Sequence, residues 1–140
     1  MNKLVEKIVD GEHISPVLPD DIKNYLIAID GTVCDDIPNE TPELFATAKV
    51  YPDALERLNK WYDEGHIITF FTARTEKHRT VTGVWLDMNG LKYHGLIMDK
   101  PRGGNYNWIA NLKVQATQYL GNFTELRKTN KTIETFDETL

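Results

Sequence analysis

Five apolar residues in a row, Tyr25-Leu26-Ile27-Ala28-Ile29, run directly into Asp30-Gly31-Thr32. A run apolar on both faces predicts a buried parallel strand that ends in a polar turn. Before it, residues 1–24 read as a polar lead-in. A short helix is expected around Lys3–Val9, until Pro16 and Pro19 break any regular element. After the strand comes an acidic loop, Cys34-Asp35-Asp36-Ile37-Pro38-Asn39-Glu40. Pro52 suits the first turn of a helix, and Leu55, Leu58 and Tyr62 follow at helical spacing until Gly65 stops it. His66–Phe71 predicts a second strand, ending at Thr72-Ala73-Arg74-Thr75. A second helix should bury Val81, Val84, Trp85 and Met88 on one stripe and end at Gly90. Tyr93–Met98 predicts a third strand, running into Asp99-Lys100-Pro101-Arg102-Gly103-Gly104. A short fourth strand is expected over Asn107–Ala110, then a helix through Val114 and Ala116.

Alternation of strand and helix predicts an α/β fold with a mostly parallel sheet and helices on its faces. Residues 25–120 form the expected core domain, and residues 121–140 a polar tail that packs on the core or trails from it. In such sheets chemistry sits beyond the carboxyl ends of the strands. The informative places are therefore Ala28–Thr32, Thr72–Thr75, Asp99–Gly104 and Ala110–Asn111.

Composition narrows the classes. The chain has 140 residues, 41% apolar and 26% charged, with a net charge of −5. That fits one globular domain. A net negative chain with no basic stripe or stacking run is a poor nucleic-acid binder. Cys34 is the only cysteine, which rules out an internal disulfide framework and points to a reducing cytosol. No secretory signal is expected from the opening residues, and no stretch approaches the ~20 apolar residues that span a bilayer.

Each strand end offers specific groups. Gly31 lets the backbone approach a ligand, and Thr32 can cap or hydrogen-bond. Thr72 and Ala73 bring backbone amides just before a helix, a natural anion cradle. Lys100 can reach across the strand ends to neutralise a phosphate. Each feature alone also fits an ordinary turn, a helix cap or a solvated basic loop.

Together they resemble the haloacid dehalogenase-like (HAD) phosphatases over residues 25–117. That family places Asp-x-Asp-Gly-Thr after the first strand, a Thr or Ser after the second, a Lys near the third and acids after the fourth. Here the matching residues are Ala28-Ile29-Asp30-Gly31-Thr32, Thr72, Lys100 with Pro101, and Ala110-Asn111. The resemblance is nearest to small capless sugar-phosphate phosphatases. It implies a Rossmann-like three-layer sandwich and a Mg²⁺-dependent aspartyl-phosphate mechanism. In it Asp30 is the general acid and base, and Gly31, Thr72, Ala73 and Lys100 hold phosphate. The metal would take the Asp30 carbonyl, the acid at position 110 and Asn111.

The chain departs from the pattern at two decisive positions. Ala28 stands at the nucleophile position and Ala110 at the metal-acid position. A methyl group cannot attack phosphorus, and Mg²⁺ is usually held through one or two carboxylates. The chain as written should be a very poor phosphatase whose Mg²⁺ affinity is weak or absent. It is either a phosphomonoesterase stripped of its carboxylates or a natural pseudophosphatase that binds a phospholigand or a protein. A register with Asp30 as nucleophile, and Cys34 as nucleophile, both fit worse.

The expected ligand is a small phosphorylated molecule, with Arg74, Arg102 and Tyr106 as contacts beyond the phosphate. The intervals between motifs hold no cap domain. A capless member uses a larger substrate or borrows a lid from a neighbouring copy, so a homo-oligomer is an expected arrangement. Residues 35–48 are the expected local flap. His66 and His94 are expected to be packed or satisfied, and His13 and His78 exposed.

Overall fold

The computed structural model describes residues 6–104, 106–112, 114, 116–119, 121–123 and 127–128. It opens with an antiparallel hairpin, β1 (Lys7–Val9) and β2 (Glu12–Ile14). The helix expected over Lys3–Val9 is therefore corrected where it is described. Asp10 and Gly11 carry φ of 50° and 81°, and two positive φ values give the hairpin turn that Asp-Gly favours.

Three parallel strands follow, β3 (Asn24–Ala28), β4 (Ile67–Phe71) and β5 (Gly95–Ile97), in the order β3-β4-β5. Their register pairs Ala28 with Phe71 and Phe71 with Ile97. The three chain exits are thus level. Helix α1 (Pro52–Asp63) connects β3 to β4, with Pro52 in its first turn and Ala54 and Leu58 buried. Gly65, at φ 98°, turns the chain out of it. Helix α2 (Arg79–Met88) connects β4 to β5 after a 3₁₀ turn at Glu76–His78. The molecule is α/β. The core gathers Ile27 and Ile29, Leu58, Ile68 and Phe70, and Trp85 and Leu86.

Two details differ from the pattern-based reading. On α2 the buried side is Thr82, Trp85 and Leu86, while Val84 and Met88 are 49% and 81% exposed. Polar bonds set that rotation: Thr82 Oγ1 accepts from Arg74 Nη1, and Trp85 Nε1 donates to the Ala48 carbonyl at 2.8 Å. The second detail is the stretch Asn107–Ala110, which is neither strand nor buried. Four residues make a strand only if a sheet edge takes them, and no described ladder does. Val114 and Ala116 are likewise outside any helix. A two-stranded antiparallel pair, β6 (Thr117–Gln118) and β7 (Arg127–Lys128), closes the described chain. Phe123 packs on Trp61 and Tyr119, and its amide donates to Asp53 Oδ2. The tail is therefore anchored to α1 at that point. Among the described residues no helix is long and apolar enough to cross a membrane.

Candidate functional site

The level strand exits bring three turns together. Past β4, the Thr72 amide continues the ladder to the Ile97 carbonyl at 2.9 Å, and the Lys100 amide donates back to the Thr72 carbonyl at 2.9 Å. Asp99 makes that return by adopting φ 61°, a left-handed conformation that Asp tolerates better than most residues. Past β3, Gly31 turns at φ 83° and donates its amide to the Cys34 carbonyl at 2.9 Å. Gly31 was expected among the phosphate contacts; its amide is already used, and its contribution is the turn itself.

Asp30 lies at the centre. Thr72 Oγ1 donates to its Oδ2 at 2.7 Å, and Arg74 Nη2 and Nε donate to its Oδ1 at 2.9 and 3.3 Å. Thr72 Oγ1 also accepts from the Arg74 amide at 3.1 Å. The Arg74 side chain has no exposure, and that of Asp30 is 13% exposed. The guanidinium lies 4.2 Å from the Phe45 ring centroid and 5.4 Å from that of Trp85. This corrects the expectation for Arg74, which is neither a solvated side chain nor a contact for ligand. It positions Asp30. A buried guanidinium needs its charge matched and its donors satisfied. Asp30 supplies the charge and Thr82 a further acceptor.

The other groups expected to hold phosphate are the Ala73 amide and Lys100. The Ala73 amide has no hydrogen-bond partner among the described residues. Lys100 Nζ sits over the rings of Phe71 and Tyr106, at 4.7 and 5.3 Å. Tyr106 in turn donates its hydroxyl to the Pro101 carbonyl. These ring contacts hold the Lys100 ammonium.

The stretch 35–48 lies against these exits and is pinned there. Asn39 Nδ2 donates to the Ala73 carbonyl at 2.9 Å. Arg102 donates to both oxygens of Glu40, at 2.8 and 3.2 Å. That bond holds the Glu40 carboxyl below its ordinary range. Phe45, from the 3₁₀ turn Pro42–Thr47, is fully buried. Arg102 therefore stands at the site's edge with its fork engaged. Nothing in the local pattern marks Asn39, Phe45 or Thr82 as site residues, because each acts on a partner more than seven positions away in the chain.

No described contact joins Ala28 to Ala110. Ala28 ends β3 beside Phe71. Ala110 and Asn111 are exposed, and no described contact joins them to Asp30. Positions 28 and 110 offer methyl groups, and among the described residues no three His, Cys, Asp or Glu side chains gather around one point. Hard cations need oxygen ligands.

Cys34 is fully buried, and burial, then the Asp30 charge, pushes its thiol up to about 12. A protonated thiol is no nucleophile. His66 and His94 accept from the backbone amides of Lys23 and Ile68 through Nδ1, so both are satisfied. His13 is exposed beside Glu6. His78 is half-buried, edge-on to Phe45 at 5.3 Å, contrary to expectation.

Cavities are also lined by the described residues. One of about 610 Å³ is lined by Tyr62, Asp87, Leu91, Lys92 and Tyr93, near the strand starts and away from Asp30. Another, about 550 Å³, is lined by Gly31, Tyr51, Pro52, Asp53, Tyr119 and Gly121, at the strand exits.

No family model matches the chain, and no curated protein matches it. Among solved structures it is similar to an MCSG target from Vibrio cholerae, at 18% identity over 64% of this chain and 80% of that one, with a TM-score of 0.47. It is also similar to a chain of the Pnkp1/Rnl/Hen1 complex, at 14% identity over 69% of this chain, with a TM-score of 0.50. The match spans 38% of that longer chain. At this identity the likeness is one of fold.

Proposed function

We propose that the chain is a HAD-like phosphomonoesterase scaffold without its nucleophile, which holds a small phosphorylated molecule and turns it over very poorly. The observation that carries this is the bond from the Lys100 amide to the Thr72 carbonyl, at an edge level with Ala28. It ties the Lys100 backbone to Thr72, whose hydroxyl donates to Asp30. The parallel order β3-β4-β5 is compatible with a Rossmann-like three-layer sandwich. The phosphate is held by Ala73 N–H and Lys100 Nζ, and by Thr72 Oγ1 when it leaves Asp30. Asp30 is the proton-transfer group, kept in place by Arg74. What is missing is an attacking oxygen at position 28. Loss of a covalent nucleophile costs on the order of 10⁶ in turnover, or roughly 8 kcal/mol. The free, buried Cys34 suits a reducing, cytoplasmic setting.

The test is restoration. Ala28→Asp with Ala110→Asp, supplied with Mg²⁺, should hydrolyse p-nitrophenyl phosphate well above the starting chain. Silence of the restored protein, with phosphate binding intact, favours the second reading, a natural phospholigand-binding protein. One observation favours that second reading already: the Asp30 carboxylate is saturated by Arg74 and Thr72.

A further inference from the structure

The cavity of about 610 Å³ lies where the chain enters β5, at the end of the parallel sheet away from Asp30. Its size suits a small molecule or a single side chain. Its walls are the last turn of α1, at Tyr62, and the stretch from Asp87 to Tyr93. Asn59 braces the two together. Its Nδ2 donates to the Gly90 carbonyl at 2.8 Å, and its Oδ1 accepts from the Lys92 amide at 2.9 Å. The rings are backed as well: His94 stacks on Tyr62 at 4.7 Å, and Phe70 lies 5.7 Å from Tyr93. The charges are unequal. Asp87 is exposed, and its carboxylate has no hydrogen bond or ion pair to any described residue. It acts on Tyr93, whose hydroxyl pKa is raised by burial and then by the Asp87 charge. The lining's ammonium, Lys92 Nζ, is matched by Asp63 Oδ1 at 2.8 Å. Burial lowers the His94 pKa, so that ring adds no positive charge at neutral pH. Arg79, which also acts on Tyr93, has its fork on Glu76 and the Leu96 carbonyl. An unmatched carboxylate beside two phenol rings disfavours anions and attracts a cation.

We propose that this cavity, between Tyr62, Asp87 and Tyr93, is a second binding site, and that it takes a guanidinium group. A guanidinium is planar, offers a carboxylate two parallel N–H bonds and stacks on aromatic rings. Asp87 receives the N–H bonds, and the tyrosines receive the flat face. Asp63 keeps the Lys92 charge from opposing it. A primary ammonium would satisfy Asp87 but use the rings less well. The site shares no residue with the phosphoryl site, and neither depends on the other. The guanidinium has two sources of one chemistry, a free small molecule or an arginine side chain of another polypeptide.

Butylguanidinium chloride titrated into the isotope-labelled full chain, with amide shifts followed by NMR at constant ionic strength, tests it. The amides of Leu91, Lys92 and Tyr93 should shift and saturate, and sodium chloride should leave them in place. Butylammonium should bind severalfold more weakly. Asp87→Asn should weaken butylguanidinium roughly three- to tenfold, the range of an exposed charge pair that carries hydrogen bonds. Asp87 is exposed, and an otherwise unchanged spectrum shows that the variant is folded. Lys92→Gln should tighten binding, because it removes a positive charge and frees Asp63. N-acetyl-arginine amide that binds as tightly as butylguanidinium supports an arginine side chain as the source, and much weaker binding supports a free guanidine. Shifts that never saturate, or that sodium chloride reproduces, overturn the proposal. So does an affinity that Asp87→Asn leaves unchanged. Butylammonium binding as tightly as butylguanidinium overturns the choice of guanidinium.

Discussion

Arg74 holds Asp30 from a position sealed off from solvent. Its Nη2 lies 2.9 Å from Asp30 Oδ1, and the ring of Phe45 covers the guanidinium at 4.2 Å. The pair joins the exit of β3 to the exit of β4. Whatever Asp30 does, it does from an orientation that Arg74 imposes.

Breaking this pair should be costly. Arg74→Met leaves a nearly buried carboxylate without its cation, a change that costs about 3–5 kcal/mol. Urea unfolding should show that loss. Arg74→Met combined with Asp30→Asn should recover part of it, because no uncompensated charge then remains. A loss below about 1 kcal/mol for the single variant would show that the pair is not closed in solution.

Lys100 should dominate anion affinity. A hydrogen bond to a charged group contributes about 1.5–3 kcal/mol, so Lys100→Ala should weaken phosphate binding by tenfold or more. With no side-chain oxygen at positions 28 and 110, EDTA should leave the affinity of the parent chain unchanged. Metal-dependent binding would contradict the donor set described here.

On the proposed reading, Glu40 competes with ligand for Arg102. Glu40→Gln should free the fork and raise phosphate affinity severalfold. The pH dependence has a definite sign. The Arg102 bond lowers the Glu40 pKa below its ordinary 4.5, so the bridge stabilises the folded chain above that value. It is lost as pH falls through the depressed pKa. Carboxyl resonances followed by NMR should place Glu40 below the other glutamates, and Arg102→Ala should return it to the ordinary range.

Cys34 should be silent toward thiol reagents in the folded chain at pH 8 and react fully in denaturant. Its pKa is near 12 when folded, against 9.0 for the ordinary thiol. The unfolded state therefore ionises first as pH rises. Stability should be unaffected by this group below pH 9.0 and decline progressively above it. Rapid labelling of native protein would show that the Asp30–Cys34 turn opens readily.

Local pattern reached some of this architecture and not the rest, for reasons visible in single residues. The runs at Tyr25–Ile29 and His66–Phe71 are strands in substance, since their apolar character reflects burial within a parallel sheet. Pro52 and Gly65 bracket α1 because both act on their own backbone. Arg74 was illegible: its burial depends on Phe45 and Trp85, brought up by separate elements. Thr82 misled for a related cause, as a hydroxyl on the buried side of α2 is explained only by the guanidinium it meets. Asp10-Gly11 is itself a two-residue hairpin signal, legible in the sequence alone. Asn107–Ala110 carried too few residues for its apolar character to decide anything. The converging turns at Asp30, Thr72 and Lys100 were in reach because each follows a strand, whereas Ala110 was placed by analogy with a strand that does not form.

Tyr25 stacks on Trp61 at 4.3 Å, Trp61 meets Phe123, and Phe123 meets Tyr119. That aromatic relay runs from the first strand of the parallel sheet to Tyr119 and Phe123. Shortening the protein from its far end, ahead of Phe123, would strip the cover from Trp61 and loosen Tyr25 on β3. Such damage would thus be felt at the strand that delivers Asp30, with no bond of Asp30 itself touched.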